Sequence, residues 1–79
     1  MRKHPVRRRA IVEVLREARL KAKLSQRALS EKLGEATTYV HEIETGQHGV
    51  RVEELIAIAE ALEVEPNVLL TRILKRTEG

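Results

Sequence analysis

The segment at residues 26–44, QRALSEKLGEATTYVHEIE, contains two short apolar patterns separated by one glycine. Five positions define its spacing: Leu29, Ser30, Gly34, Val40 and Ile43. Two short helices that cross steeply need a small residue at the crossing, here Ser30, and a glycine in the tight turn, here Gly34. Two apolar residues three positions apart then anchor the second helix and leave its opposite face in solvent. The spacing therefore predicts a helix-turn-helix unit.

Helical periodicity continues on both sides of this unit, and the chain contains no strand signal. The helices are expected at about 6–22, 26–33, 37–44, 52–62 and 66–76. Ser25 suits the N-cap of the second helix, Gly34 its C-terminal turn and Pro66 the first position of the fifth helix. We expect an all-α domain over residues 10–76, preceded by a basic arm at 1–9 and followed by a tail at 77–79.

Composition restricts the classes of protein to which the chain can belong. Its 79 residues include no Cys, which excludes a disulfide framework. They include no Trp or Phe and one Tyr, which argues against base stacking on an aromatic platform. No stretch approaches the roughly 20 apolar residues of a membrane span, and the N-terminus lacks the apolar run of a signal peptide. We therefore expect a soluble, cytoplasmic protein that does not act at a membrane.

Basic residues are concentrated in the first part of the chain. Residues 1–32 hold eleven Lys and Arg against three Glu, whereas residues 33–79 hold four against nine. A basic segment of this kind is typical of proteins that contact nucleic-acid phosphates.

The segment and its surroundings resemble the phage repressor and Cro-type helix-turn-helix family, also called the xenobiotic-response-element (XRE) family. The resemblance is carried by Leu24-Ser25-Gln26, Leu29, Leu33-Gly34, Tyr39-Val40, Ile43-Glu44, Gly46 and the run IAEALEV at 58–64. It extends over about residues 11–70 and implies a five-helix, lambda-repressor-like fold. It also implies sequence-specific binding of double-stranded DNA and regulation of transcription.

The sequence departs from the family's pattern at four places. Glu35 replaces a usual apolar turn residue, and Ala36 replaces a capping Ser or Thr, so that Thr37 is the expected cap. Glu63 replaces the glycine that usually ends the fourth helix. Residues 33–50 contain no Lys or Arg, so phosphate contacts are expected from backbone N–H groups at helix starts and from basic residues elsewhere.

The resemblance places the DNA-contacting residues on the third helix and beside it. Contacts to bases are expected from Thr37, Thr38, His41 and Glu42. Contacts to the DNA backbone are expected from Ser25, Gln26, Arg27, Tyr39, Gln47 and Arg51. Two alternatives stay open: the outer face of the third helix is only a solvated surface, and Tyr39 packs beside the second helix instead of facing phosphate.

The N-terminal arm carries Arg2, Lys3, Arg7, Arg8 and Arg9. We expect it to follow phosphate or to enter a minor groove, with an ordinary charged terminus as the alternative. The resemblance also implies an ion pair between Arg19 of the first helix and Glu44 of the third, which would brace the two helices. The alternative is that these are two unrelated surface charges.

The fifth helix holds more apolar residues than docking on a small core requires: Leu69, Leu70, Ile73 and Leu74. We interpret this surplus as a contact between the two subunits of a homodimer, with full burial inside one subunit as the alternative.

No nucleophile–base pair, phosphate-binding loop or paired-acid constellation occurs, so we expect no enzymatic activity, no cofactor and no small-molecule ligand. His41, Glu44 and His48 are not expected to bind a metal. The alternative to a transcription regulator is a protein-interaction module, such as an antitoxin or adaptor, that uses an acidic third helix.

Overall fold

The computed structural model describes residues 5–78 and consists of five helices, with no strand in that range. The helices are α1 (Pro5–Lys21), α2 (Gln26–Lys32), α3 (Tyr39–Glu44), α4 (Val52–Ala61) and α5 (Pro66–Glu78). The expected all-α, five-helix architecture is confirmed.

One apolar core joins the five helices. Its buried side chains are Ala10, Val14, Leu15, Ala18, Leu29, Val40, Ile43, Ile58, Ala59, Leu62, Leu69 and Ile73. The helix α1 packs against α5 and α3, while α2 packs against α3 and α4 against α5. On the outside of the α1–α5 contact, Arg76 donates to Glu17 at 2.8 Å. The longest helix, α1, is thus the element against which the helix-turn-helix unit and α5 are both placed.

Ser25, directly before the helix-turn-helix unit, and Ser30 within it each cap a helix. The Ser25 hydroxyl accepts from the Ala28 backbone N–H at 2.9 Å and caps α2 as expected. The fully buried Ser30 hydroxyl donates to the Gln26 carbonyl at 2.9 Å and accepts from the Val40 backbone N–H at 3.0 Å. The Val40 N–H is one of the donors that the first turn of a helix leaves without a partner. The helix α2 therefore supplies the cap of α3.

Helix ends differ from the expected ones by one or two residues, and the largest difference lies at α3. The Tyr39 backbone N–H donates to the Ala36 carbonyl at 3.0 Å, which closes a turn that contains Thr37 and Thr38. The residue before the helix is Thr38, and its side chain makes no capping bond. The expectation that Thr37 begins and caps this helix was wrong, because the turn delays the helix until Tyr39.

The terminal segments also differ from expectation. The helix α1 begins at Pro5, one residue before its expected start, so Arg7, Arg8 and Arg9 of the basic arm lie on its first turns. Arg2 and Lys3 lie outside the described residues. At the other end α5 continues to Glu78, two residues beyond the expected end. Within residues 5–78, no helix combines the length and the apolar character needed to cross a bilayer.

Candidate nucleic-acid interface

The outer surface of α3 and of the turn before it is open to solvent. Thr37, Thr38 and His41 are exposed, and Glu42 is half-buried. The Thr38 hydroxyl donates to the Glu42 carboxylate one helical turn away, at 3.3 Å. The four residues expected to contact bases therefore lie within two turns of chain, on or directly before the same short helix.

The inner end of α3 is held by a buried ion pair. Arg19 Nε and Nη2 donate to the two carboxylate oxygens of Glu44 at 2.7 and 3.0 Å, and both side chains are less than a tenth exposed. Arg19 Nη1 also donates to the Leu24 carbonyl at 2.7 Å. This is the brace that the family resemblance implied, and it leaves the orientation of α3 relative to α1 little freedom.

Gln26 belongs to the same network. Its side-chain Nε2 donates to Glu44 at 2.9 Å. The Gln26 amide, which was expected to contact the DNA backbone, therefore already has a hydrogen-bond partner within the protein. Arg27 is exposed and pairs with Glu31 at 3.3 Å. A surface pair of this kind has little net stability and yields readily to another anion.

The segment after α3 carries two more of the expected backbone contacts, and both are exposed. Gln47 Nε2 donates to the Thr45 hydroxyl at 2.7 Å. Arg51 Nη1 lies 3.9 Å from the Glu53 carboxylate, and both side chains are mostly in solvent.

The Tyr39 side chain has a partner that neither alternative anticipated. Its hydroxyl donates to Oε2 of Glu54 in the first turn of α4, at 2.5 Å. The same oxygen lies 2.9 Å from His48 Nε2, and the Tyr39 and His48 rings lie 5.4 Å apart. Glu54 and His48 are thus functional candidates that the sequence analysis missed. The Glu at the third position of α4 resembles half of a capping box and was the available signal.

Burial and hydrogen bonding shift the ionisation of this cluster. Burial raises the pKa of Tyr39, and the hydrogen bond to the Glu54 carboxylate raises it further. Burial alone would raise the pKa of Glu54, but the hydrogen bonds from Tyr39, the Arg51 backbone and His48 together lower it to about 2. At neutral pH the cluster therefore contains a phenol and a carboxylate anion.

The first turns of α1 lie beside the segment that follows α3. Arg8 Nη2 donates to the Gly46 carbonyl at 3.3 Å. Arg8 and Arg9 line a shallow groove with Thr45 and Gly46. Two of the arginines expected on an arm are therefore attached to a helix and placed next to the chain that leaves α3.

The four apolar residues of α5 divide into two pairs. Leu69 and Ile73 are buried in the core of the subunit, so the expectation that they contact a second subunit was wrong. Leu70 and Leu74 are 47% and 53% exposed. Positions four apart share a helix face, so one pair faces the core and the other faces solvent.

No group of three or more His, Asp or Glu side chains able to hold a metal ion occurs in the described part of the chain.

Comparison with known proteins agrees with this architecture. A family model described as helix-turn-helix matches residues 15–69. A variant of the restriction–modification controller protein C.Esp1396I has a similar structure, with a TM-score of 0.85, 23% identity, and coverage of 94% of this chain and 99% of that one. A search of curated proteins gave no significant match.

Two further solved structures are similar. One is an XRE-family-like protein from Pseudomonas syringae pv. tomato, with a TM-score of 0.84, 26% identity, and coverage of 91% of this chain and 88% of that one. The other is the clp gene regulator ClgR from Corynebacterium glutamicum, with a TM-score of 0.83, 25% identity, and coverage of 96% and 81%.

A buried serine at the crossing of α2 and α3, a glycine turn between them and an open outer face on α3 define a helix-turn-helix domain. The chain belongs to the helix-turn-helix family of the XRE type. It is a DNA-binding regulator of transcription and not an enzyme.

Proposed function

We propose that the protein binds a specific sequence of double-stranded DNA as a homodimer and reads the major groove with α3. One observation carries the proposal: the inner side of α3 is fixed while its outer side is free. Val40 and Ile43 are buried and Glu44 is paired with Arg19, yet Thr38 and His41 remain in solvent. A rigidly held helix with an open polar face is what groove recognition requires.

The outer face offers chemistry suited to base edges. A threonine contacts a thymine methyl or hydrogen-bonds a base, a histidine donates to an acceptor, and Glu42 accepts from a cytosine amino group. Since residues 33–50 contain no Lys or Arg, phosphate contacts fall to Arg8, Arg9, Arg27 and Arg51 around the edge. We therefore expect modest affinity that is sensitive to salt.

The second subunit would cover an apolar surface formed by α4 and α5. A groove between the two helices is lined by Val52, Leu55 and Leu70, and Val52 is largely exposed. Ile56 and Leu74, each one turn further along its helix, extend the same surface and are half-exposed. A second copy of the chain presents the same leucines, so a two-fold arrangement buries the groove and the leucines together.

Selection of bound duplexes from a random pool tests the proposal. The expected result is an inverted repeat whose half-sites lie about one helical turn, roughly 34 Å, apart. Recovery of no enriched sequence, under low-salt conditions that favour binding, would contradict sequence-specific recognition. It would instead favour a protein-interaction module, which the acidic side chains of Glu35 and Glu42 near α3 also suit.

A further inference from the structure

Glu54 is the point at which three segments around α3 meet. Its Oε2 accepts from the Tyr39 hydroxyl, which lies in the first turn of α3. The same oxygen contacts His48 Nε2 in the following loop, while Oε1 accepts from the Arg51 backbone N–H at 2.8 Å. An ionised carboxylate has only acceptors, so the His48 nitrogen that faces it carries the proton. One side chain thus fixes the start of α3, the loop and the start of α4.

The carboxylate of Glu54 cannot strengthen DNA binding by its charge. It carries the same sign as the phosphates and is anionic at neutral pH. A like charge near the DNA weakens the affinity for every sequence by a similar amount. Any benefit from this residue must therefore come from geometry, and geometry affects specific and non-specific binding differently.

The hydroxyl of Tyr39 already donates its proton to a partner inside the protein. A phenol has one proton to donate, and Glu54 accepts it. A phosphate oxygen can only accept, so the hydroxyl offers it no second proton. Tyr39 can contact DNA through its ring, but the hydroxyl acts inside the protein.

We propose that Glu54 is a positioning residue for DNA recognition, which holds Tyr39 and His48 so that α3 enters the groove in one orientation. This inference rests on the proposed function. It assigns to Glu54 a contribution to the ratio of specific to non-specific affinity, whereas the charge of Glu54 lowers both affinities by a similar amount.

Glu54→Gln removes the charge and one acceptor with little change in shape. Glu53→Gln is the matched control, because it removes the same charge one residue earlier, from a side chain that is 78% exposed and pairs with Arg51. Each protein is titrated with a duplex selected by the unmodified protein and with a random-sequence duplex of the same length. For Glu54→Gln we expect the affinity for the selected duplex, divided by that for the random duplex, to fall about tenfold. This is the fold-change that corresponds to the loss of one charge-assisted hydrogen bond. For Glu53→Gln we expect an unchanged ratio.

Tyr39 provides a spectroscopic readout of the contact itself, because the chain contains no other tyrosine and no tryptophan. Alkaline titration of phenolate absorbance therefore follows this hydroxyl alone. In the unmodified protein and in Glu53→Gln, the pKa of Tyr39 should lie above its usual value of 10. In Glu54→Gln it should return towards that value.

Tyr39→Phe keeps the experiment decisive if Glu54→Gln does not fold. This variant removes only the hydroxyl, and we expect the same fall in the affinity ratio. Where both single variants fold, the double variant should lose no more than Glu54→Gln alone, since the Tyr39 hydroxyl acts only through Glu54. Additive losses would mean that Tyr39 and Glu54 act separately and would overturn the inference.

Two further outcomes separate the inference from the function on which it rests. If the unmodified protein prefers its selected duplex but Glu54→Gln keeps the full ratio, the inference fails and the function stands. If the unmodified protein shows no preference for any duplex, the proposed function fails and the inference fails with it, whatever the Tyr39 titration shows.

Discussion

Arg19 and Glu44, separated by 25 positions in the sequence, form a bidentate ion pair at the edge of the core. Both partners make a further bond, Arg19 to the Leu24 carbonyl and Glu44 from the Gln26 amide. Burial of charge is costly unless each donor and acceptor is satisfied, and in this network they are. The pair connects α1, the turn before α2, α2 itself and the last turn of α3.

Removal of one member of the pair should therefore destabilise the fold strongly. Arg19→Met or Glu44→Leu alone leaves a buried charge without a partner, and we expect a loss of about 3–5 kcal/mol in the free energy of unfolding. The double variant should recover much of that loss. Chemical denaturation measures each value, with Arg27→Ala as the control because its exposed pair with Glu31 is worth less than about 1 kcal/mol. If Arg19→Met and Arg27→Ala lowered the free energy of unfolding by equal amounts, this would contradict the structural role of the buried pair.

The cap that α2 supplies to α3 gives a second prediction. Ser30→Ala leaves the buried Val40 N–H without an acceptor while it fits the same space, so the free energy of unfolding should fall by about 1–3 kcal/mol. Hydrogen exchange should show faster opening of α3 than of α1. A Ser30→Ala protein with unchanged stability would show that the hydroxyl does not cap α3.

The sequence allowed the five helices to be predicted, because apolar periodicity and the residues that end helices are local signals. Ser25, Gly34 and Pro66 all occupy the positions expected of them. The predicted start of α3 was wrong because a backbone hydrogen bond from Tyr39 to Ala36 closes a turn through Thr37 and Thr38. Such a bond involves no side chain, so the residue types at these positions do not indicate it.

The missed features share a different cause, which is that they depend on contacts between helices. The contact of Tyr39 with Glu54 joins residues 15 positions apart, so it depends on where the loop after α3 places the first turn of α4. The division of the α5 leucines likewise depends on which face meets α1. Leu69 with Ile73 and Leu70 with Leu74 have the same spacing, so periodicity alone cannot say which pair is buried.

The backbone at the end of α4 gives a third prediction. Glu63 has φ 58°, a left-handed conformation that glycine adopts freely and other residues adopt at a cost. Glu63→Gly should raise the free energy of unfolding by about 0.5–1 kcal/mol after the entropy of the unfolded glycine is included. Glu63→Ala removes the same charge but keeps the strain, so it should bring no such gain. Equal gains in the two variants would assign the effect to charge.

The exposed leucines of α5 give a fourth prediction, which concerns assembly. Leu70→Gln with Leu74→Gln should give a folded monomer that binds DNA poorly, because neither side chain belongs to the core. Val68→Gln is the matched control, since Val68 is 46% exposed on the same helix but turned about 160° from Leu70. Sedimentation should show dimers for the control. An unmodified protein that is monomeric at tens of micromolar would contradict the proposed dimer.

Equilibrium binding of a labelled duplex at several salt concentrations tests the central claim most directly. The duplex is one selected by the protein, and it is compared with a duplex of the same composition in permuted order. We predict at least a thousandfold preference for the selected sequence, and a log–log salt slope of roughly 0.9 per phosphate neutralised. Replacement of Arg8 and Arg9 by Gln should reduce that slope, whereas Lys75→Gln on α5 should not. Equal affinity for the two duplexes, with the same salt slope, would contradict sequence-specific recognition by α3.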